Sequence, residues 1–244
     1  MDELILEEKQ NIDTSSAWES YWNKTYKLSN PIFWDCTPQS AVGKDLSRFK
    51  NIMDSQLPLI DFACGNGTQT HFLANHFTKV IGVDVSKSAL EMAKTQHNAP
   101  NIEYHLLDGL KPEQAEALHS QIGDANIYMR AGFHHIPVEK RSEFAKSLQI
   151  LLGNKGIIYL IELDTNAINY FNSIREKYGK FPEEMTIVIE HGIKPGTISR
   201  EDIVNFFPEF EILKSGEDFL DIAFPLPDGS YPKLPTLYAI MKHK

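Results

Sequence analysis

Residues 59–70 read Leu59-Ile60-Asp61-Phe62-Ala63-Cys64-Gly65-Asn66-Gly67-Thr68-Gln69-Thr70. An apolar run typical of a buried strand enters a tight Gly-x-Gly turn, and a helix-forming segment follows the turn. The glycines allow a backbone conformation that a Cβ disfavours, and they let a ligand approach the main chain closely. The segment therefore predicts a strand, a turn and a helix of an α/β protein, with a ligand at the turn.

Short apolar runs alternate with helix-length amphipathic segments through the middle of the chain. The runs that predict strands are Leu57–Ala63, Lys79–Val83, Asn101–Leu106, Ala125–Arg130 and Gly156–Leu163. Between them, Ser86 is a predicted helix N-cap, Pro137 suits the first turn of a later helix, and Gly153 suits its end. Strands that alternate with helices pair in parallel and carry helices on both faces. We therefore expect a doubly wound α/β fold with its ligand at the carboxyl ends of the strands.

Composition and charge disfavour several classes of protein. The chain has 244 residues and a formal net charge of −9 without a dense basic run, so we expect binding to neither nucleic acid nor an anionic membrane. Its two cysteines, Cys36 and Cys64, cannot form a disulfide framework and lack zinc-ligand spacing, so no metal site is predicted. The acidic first residues and the short apolar runs favour a cytoplasmic protein. Nothing in the sequence defines the oligomeric state.

The residues around the turn discriminate between nucleotide-type ligands. A dinucleotide site would carry a third glycine where Thr70 stands, and a P-loop would need Gly-Lys-Ser/Thr, which is absent. Asp61 precedes the turn, where it would repel a pyrophosphate but accept a hydrogen bond from an amino group. Asp84 ends the second predicted strand and suits both hydroxyls of a ribose, and Asp108 ends the third, within reach of an adenine amino group. Alternatively, Asp84 and Asp108 only cap the helices that follow.

This combination resembles the class I S-adenosylmethionine-dependent methyltransferases, over roughly Leu57 to Leu163. The resemblance implies a Rossmann-like seven-stranded mixed sheet, parallel except for an antiparallel C-terminal strand. It also implies S-adenosylmethionine as cofactor and S-adenosylhomocysteine as product. Asp61 would bind the methionine amino group, Asp84 the ribose hydroxyls and Asp108 the adenine amino group. The remaining residues that the resemblance assigns to cofactor binding near these acids are Ala63, Cys64, Gly65, Gly67, Thr70, Val85 and Gly109.

The segment after the fourth predicted strand reads Arg130-Ala131-Gly132-Phe133-His134-His135-Ile136-Pro137. It resembles a segment of many small-molecule methyltransferases and lacks the Asn/Asp-Pro-Pro-Tyr signature of relatives that methylate DNA bases and protein amides. His134 and His135 are the candidate general bases, because an imidazole changes its protonation near pH 7, and Glu162 and Asp164 are the second choice. Arg130 is predicted to bind the cofactor carboxylate; the alternatives are an acidic substrate or a salt bridge at the rim.

We expect one domain with three parts: an N-terminal helical lid (1–54), a cofactor-binding core (55–164), and acceptor-pocket segments with the final strands (165–244). The stretch Trp18-Glu19-Ser20-Tyr21-Trp22, followed by Phe33-Trp34-Asp35, resembles the front segment of thiopurine- and tellurite-type methyltransferases. Aromatic ring faces attract a sulfonium cation. Its aromatic residues are Trp18, Tyr21, Trp22, Tyr26, Phe33 and Trp34. Tyr21 and Tyr26 are predicted to bind the cofactor carboxylate, although the rings could instead only pin the segment to the sheet's helices. Core packing is predicted for Phe206, Phe207, Phe210 and Phe219.

The expected function is methyl transfer to a small organic acceptor by in-line displacement, in which proximity supplies most of the acceleration. Two alternatives stay open: methylation of a peptide or a carboxyl group, and a non-catalytic S-adenosylmethionine-binding module. A nicotinamide oxidoreductase is the remaining α/β alternative, and Thr70 at the place of the third glycine argues against it. The expected partner is a small molecule or a short peptide.

Overall fold

The structure is a computed structural model that describes residues 13–28 and 32–244. The acidic start of the chain and the other parts of the predicted lid within 1–12 and 29–31 lie outside the described residues. The described residues form a seven-stranded sheet with helices around it. The strands are β1 (Leu59–Phe62), β2 (Val80–Asp84), β3 (Ile102–Leu106), β4 (Asn126–Arg130), β5 (Ile157–Leu163), β6 (Phe210–Asp221) and β7 (Lys233–His243).

The strands lie in the order β3-β2-β1-β4-β5-β7-β6. Strands β1 to β5 pair in parallel, and β7 runs antiparallel to both β5 and β6. The predicted mixed sheet with one antiparallel C-terminal strand is therefore confirmed. From β1 the chain builds the sheet outward to β3, and it then returns to place β4 on the other side of β1. Ligands of α/β sheets bind at such a switch point, outside the carboxyl ends of the strands.

Helices cover both faces of the sheet. They are α1 (Thr14–Leu28), α2 (Val42–Phe49), α3 (Thr68–Leu73), α4 (Lys87–Gln96), α5 (Pro112–Ile122), α6 (Arg141–Leu152), α7 (Asn166–Tyr178), α8 (Glu183–Glu190) and α9 (Arg200–Phe206). Ser86 caps α4 as predicted, because its Oγ accepts a hydrogen bond of 3.1 Å from the amide of Ala89. Pro137 does not lie in the first turn of α6: it precedes a short 3₁₀ turn, and α6 begins only at Arg141.

Alternate strand residues pack into two cores on opposite faces of the sheet. Ile60 and Ile127 belong to the core under α5 and α6, whereas Leu59 and Tyr128 belong to the core under α2 and α7. Phe207 and Phe210 are buried as predicted, and Phe206 packs at the margin of the first core. The prediction for Phe219 is wrong, because its side chain is 50% exposed on β6, the edge strand of the sheet.

Candidate active site

A cavity lies at the carboxyl ends of the strands and extends across the sheet from β3 to β6. One end, which we call the acidic half, is formed by Asp84 and Asp108 with their neighbours Val85 and Gly109. The other end, the apolar half, is formed by Phe33, Leu163, Phe171, Met185, Leu220, Ile222 and Leu234. Residues that follow the switch strands β1 and β4 lie between the two halves.

The glycine turn between β1 and α3 adopts the left-handed backbone that its sequence predicts. Gly65 has φ +55° and Gly67 has φ +82°. A Cβ at position 65 would lie 2.8 Å from the ring of Trp22, and a Cβ at position 67 would lie 2.8 Å from the Cβ of Ala93. The close approach that these glycines permit is therefore used by the protein's own side chains. Helix α1 packs directly on the turn through Trp22.

Two buried carboxylates fix the turn. Asp84 accepts hydrogen bonds from the amide of Gly65 (2.8 Å) and from the amide of Ser86 (2.9 Å), and Asp61 accepts one from the hydroxyl of Thr70 (2.5 Å). Burial raises the pKa of Asp61 to about 7, and it raises the pKa of Asp84 to about 6. Both groups still line the cavity, so a ligand that donates hydrogen bonds there stabilises their ionised forms.

Asp108 and Gly109 occupy the turn after β3. The Asp108 carboxylate accepts a hydrogen bond of 3.0 Å from the amide of Leu110, and it also faces the cavity. Asp84 combines the same two features, so each acid shapes the turn after its strand and is available to a ligand. A Cβ at Gly109 would lie 2.3 Å from the ring of Phe144, which explains the need for glycine at this position.

Most residues predicted to bind the cofactor line the cavity, but four do not. Those that line it are Asp61, Ala63, Cys64, Gly65, Asp84, Val85, Asp108, Gly109 and Arg130. Gly67 and Thr70 lie behind the turn. Tyr21 is 3% exposed among the α1 aromatic rings, and Tyr26 is 40% exposed one turn beyond Trp22. Neither tyrosine reaches the cavity, because α1 presents Trp18 and Trp22 there instead.

His134 and His135 both line the cavity, and each ring is held through Nδ1. His134 Nδ1 lies 2.7 Å from Glu162 Oε2, and a carboxylate can only accept, so Nδ1 carries the proton and Nε2 is the acceptor. Glu162 is fully buried and also accepts hydrogen bonds from the amides of Gly132, Phe133 and His134. His135 Nδ1 lies 3.3 Å from the carbonyl of Lys194. Burial lowers the pKa of His135 well below its usual value, so this imidazole stays neutral.

Asp45 of α2 joins two arginines, Arg130 and Arg48. It is fully buried and accepts hydrogen bonds from Tyr128 (3.0 Å) and Tyr159 (2.8 Å). It also pairs with Arg130 (3.0 Å) and Arg48 (3.3 Å). Arg130 lines the cavity, whereas Arg48 is directed toward β6. The rim salt bridge that the sequence left open as an alternative for Arg130 is thus a largely buried ion pair.

Helix α1 covers the cavity with a packed aromatic cluster. Trp18 meets Trp34 edge to face at 5.7 Å between ring centroids, and it meets the His135 ring in the same way at 5.0 Å. Tyr21 packs behind them at 5.5 Å from Trp34. Glu19 on the same helix accepts hydrogen bonds from Ser86 and Ser88 at the start of α4. The rings of Trp18, Trp34 and His135 line the cavity, and the cluster as a whole holds α1 in position.

Sequence reasoning missed two acids of the site. Asp35 lines the cavity and accepts a hydrogen bond of 2.7 Å from the side chain of Asn66, so it links the glycine turn to the segment before α2. Asp45 lies in an amphipathic helix, where a single acid normally faces solvent, and no local pattern distinguishes it. Only the partners from β4 and β5, far away in sequence, identify its role.

Two findings concern the described residues as a whole. They contain no group of three or more histidine, cysteine, aspartate or glutamate side chains arranged to hold a metal ion. Among the helices that the structure describes, none combines the length and the apolar character that crossing a membrane requires.

Comparison with known proteins identifies the family. A family profile described as "Methyltransferase domain" matches residues 59–156. A solved structure of an S-adenosylmethionine-dependent methyltransferase from Anabaena variabilis is 56% identical, covers 97% of this chain and 98% of its own, and superposes with a TM-score of 0.95. The chain belongs to the S-adenosylmethionine-dependent methyltransferases.

Two further proteins that this methyltransferase resembles have a lower sequence identity. N-demethylindolmycin N-methyltransferase of Streptomyces griseus is 29% identical over 93 residues, a match that spans only 38% of either chain. Magnesium protoporphyrin IX methyltransferase of Synechocystis, solved with bound S-adenosylhomocysteine, shares the fold at 15% identity and a TM-score of 0.61, over 95% of this chain and all of the other.

The cofactor of the methyltransferase is S-adenosylmethionine. The residues at the cavity fit its chemistry. The cofactor offers hydroxyl and amino groups as hydrogen-bond donors, and the described wall carries the carboxylates of Asp61, Asp84 and Asp108 as acceptors. The rings of Trp18 and Trp22 supply faces that attract a sulfonium cation.

Proposed function

We propose that this methyltransferase transfers the methyl group of S-adenosylmethionine to a small organic acceptor whose nucleophilic atom carries a proton. The bound cofactor supplies a methyl group that the adjacent sulfonium activates. The observation that carries the proposal is the buried His134–Glu162 pair, which lies between the acidic and apolar halves of the cavity. A base between two binding regions is where removal of the acceptor's proton requires it.

The acidic half is assigned to the cofactor. Asp84 binds the ribose hydroxyls, Asp61 the methionine amino group and Asp108 the adenine amino group, with Val85 and Gly109 against the adenosine. A carboxylate accepts about four hydrogen bonds, and Asp84 lines the cavity while it receives short hydrogen bonds from the amides of Gly65 and Ser86. Its remaining capacity supports the assignment of both ribose hydroxyls.

His134 is the better candidate for the general base. Its Nδ1–H donates to Glu162, which leaves Nε2 as the proton acceptor, and the carboxylate stabilises the imidazolium that forms. His135 has only a carbonyl oxygen as its Nδ1 partner, and a buried imidazolium there would lack a counter-charge. We therefore assign proton removal to His134, orientation of His134 to Glu162, and an aromatic packing role against Trp18 to His135.

We assign the apolar half of the cavity to the acceptor, and we assign to α1 the role of a lid over both halves. The apolar side chains of Leu163, Phe171 and Leu234 favour an acceptor with an apolar body. Trp18 and Trp22 close the cavity from the α1 side, which favours a small molecule over a folded peptide chain. Opening of α1 would admit cofactor and acceptor, and closure would exclude water from the transfer.

The proposal is tested by incubating the protein with isotopically labelled S-adenosylmethionine and a bacterial metabolite extract, followed by mass spectrometry of the products. We expect label in at least one small molecule. His134→Gln should then lower kcat by a factor of about 100 or more and leave S-adenosylhomocysteine affinity unchanged. His135→Gln is the matched control, with a much smaller effect on kcat.

Three results would count against this function. The absence of labelled product favours a non-catalytic cofactor-binding module. Label recovered only in peptides or as base-labile methyl esters favours the peptide or carboxyl alternative. Equal kcat in the wild type and both histidine variants would show that His134 is not the general base.

A further inference from the structure

Arg130 presents hydrogen-bond donors to the cavity that the protein itself does not use. Its guanidinium donates to Asp45 through one terminal nitrogen at 3.0 Å. Among the described residues, its other N–H groups have no hydrogen-bond partner, and none of these nitrogens is sealed off from the cavity. A guanidinium has five N–H donors in a planar fork, which matches the two oxygens of a carboxylate. The arrangement leaves one side of that fork for a ligand.

Arg130 keeps its positive charge at the cavity wall. Its acidic partner Asp45 pairs with Arg48 as well. Burial alone would lower the pKa of Arg130, but the neighbouring Tyr128 and Asp45 raise it, so the guanidinium keeps its charge. Because Arg130 shares Asp45 with a second arginine, an anionic ligand suits the unused side of its guanidinium.

Arg130 lies at the border of the apolar half of the cavity. It pairs in register with Ile161 of β5, the strand next to β7 and β6. It lies close enough to the thiol of Cys36 to oppose the rise in pKa that burial causes there. The Cys36 thiol donates a hydrogen bond of 3.1 Å to the carbonyl of Asp221 at the end of β6. The guanidinium is therefore near the end of β6, where the apolar half begins.

The cofactor carboxylate is the competing ligand for Arg130. In the proposed function Asp61 binds the methionine amino group, and the carboxylate is attached to the same carbon atom as that amino group. Asp61 pairs in register with Tyr128, two residues before Arg130, so Asp61 and Arg130 lie on neighbouring strands. The acidic partner of Arg130 is Asp45 on α2 and not Asp61. Cofactor binding by an Arg130 variant therefore has to separate the two ligands.

We propose that Arg130 forms an anion subsite for the acceptor, so that the enzyme selects apolar molecules that carry a carboxylate or a similar anionic group. The subsite rests on the proposed function for the position of the acceptor. Asp45 orients the guanidinium, and Tyr128 and Tyr159 hold Asp45. The apolar side chains of the neighbouring wall, including Leu163, Leu220 and Leu234, bind the body of the acceptor. This subsite replaces the cofactor carboxylate as the ligand that the sequence predicts for Arg130.

The test measures binding, so it does not depend on turnover. Calorimetry on the complex with S-adenosylhomocysteine compares three acids with their primary amides: octanoate, 3-phenylpropanoate and 1-naphthoate. We expect at least one acid to bind ten times more tightly than its amide. Arg130→Met should abolish the preference, and Arg130→Lys, which keeps the charge without the fork, should retain part of it. Arg48→Met is the matched control: it removes a second arginine from Asp45 but leaves the preference intact, because Arg48 does not line the cavity.

A second arm separates the two possible sources of the carboxylate. Affinities of S-adenosylhomocysteine and of 5′-methylthioadenosine, which lacks the amino-acid part, are measured for the wild type and Arg130→Met. Unchanged affinity for both supports an acceptor subsite. A tenfold loss for S-adenosylhomocysteine alone means that Arg130 holds the cofactor carboxylate, and the proposal is then wrong.

Equal binding of acids and amides by the wild type, or no binding of any acid at millimolar concentration, also overturns the proposal. Its failure and that of the proposed function are distinguishable. Methyl transfer to neutral acceptors without an acid preference would support the proposed function and refute the anion subsite. An acid preference without methyl transfer would support the subsite and refute the proposed function.

Discussion

Glu19 in α1 and Ser88 in α4 are joined by a hydrogen bond of 2.6 Å between Oε1 and Oγ. The other oxygen of the same carboxylate accepts from the Ser86 hydroxyl (2.7 Å) and from the Ser88 amide (3.1 Å). Glu19 thus supplies a negative charge at the N-terminus of α4, where the helix dipole favours it. Ser86, the nearer of the two serines that bind Glu19, lies two residues after Asp84, the candidate ribose ligand.

Glu19→Gln should loosen α1 without unfolding the sheet. Hydrogen bonds to a charged group contribute roughly 1.5–3 kcal/mol, so the amides of residues 14–28 should exchange with solvent about tenfold faster or more. Hydrogen exchange followed by mass spectrometry measures this, and S-adenosylhomocysteine should restore part of the protection. Glu91→Gln on the exposed face of α4 is the control, because Glu91 forms only a long ion pair of 3.9 Å with Lys87. Identical exchange in both variants would show that the hydrogen bonds of Glu19 do not hold α1 in place.

Asp84→Asn should weaken S-adenosylhomocysteine binding by roughly 10- to 100-fold, which corresponds to the loss of one charge-assisted hydrogen bond of about 1.5–3 kcal/mol. Asp124→Asn is a matched control. Asp124 also accepts two backbone amide hydrogen bonds in a loop, from Asn154 and Lys155, but it lies away from the cavity. Unchanged affinity in Asp84→Asn, measured by calorimetry, would refute the assignment of Asp84.

Cofactor affinity should depend on pH. In the ligand-free protein the pKa of Asp61 is about 7 and that of Asp84 about 6, and the donors of the cofactor require the ionised forms. The affinity for S-adenosylhomocysteine should therefore fall as the pH is lowered from 8 to 5.5, and binding near pH 6.5 should release protons. Asp61→Asn should remove the part of this dependence near pH 7. Calorimetry in buffers of different ionisation enthalpy measures the released protons, and a constant affinity contradicts the prediction.

The same two acids should make the ligand-free protein less stable as the pH rises, whereas they make cofactor affinity increase with pH. A buried carboxyl group with a raised pKa binds more protons in the folded than in the unfolded chain. For Asp61 this holds between the ordinary value of 3.8 and about 7, so its contribution to the free energy of unfolding falls as the pH rises through that range. Thermal unfolding from pH 5 to 7.5 should show a smaller decrease in Asp61→Asn than in the wild type.

Glu162→Gln tests whether Glu162 and His134 act as one unit. The amide keeps the size of the side chain but loses the charge that four N–H groups of residues 132–134 share. We expect kcat to fall by a factor of about 10–100 with little change in cofactor affinity. The double variant with His134→Gln should be no slower than His134→Gln alone. Multiplication of the two effects would mean that Glu162 has only a structural role.

The first five strands and their parallel pairing could be predicted because they depend on local patterns. The predicted strand Lys79–Val83 is found as Val80–Asp84, and Gly156–Leu163 is found as Ile157–Leu163. Asp61, Asp84 and Asp108 also reach the cavity, since parallel strands bring their carboxyl ends to one edge. Glu162 and Asp164 at the end of β5 do not line it, and Asp164 accepts a hydrogen bond from the amide of Asn166 instead. Binary patterning and turn residues were sufficient for this part of the molecule.

Other features depend on contacts between distant segments and leave no local pattern. Tyr26 shares the aromatic character of Trp18 and Trp22, and only the docking of α1 determines which rings reach the cavity. Phe219 has the side chain of a core residue, yet the edge position of β6 exposes it. Asp45 acquires its role through Tyr128 and Tyr159, which belong to two different strands.

The β5-β7-β6 order determines which half of the cavity is completed first when the chain emerges from the ribosome. The acids assigned to the cofactor lie within residues 61–108, in consecutive strand–helix units. The apolar half joins Phe33 to Leu220 and Leu234, and β6 reaches the sheet only through β7. Contacts between segments so far apart close a long loop and form late. We therefore expect a nascent chain to build its cofactor region before the region assigned to the acceptor.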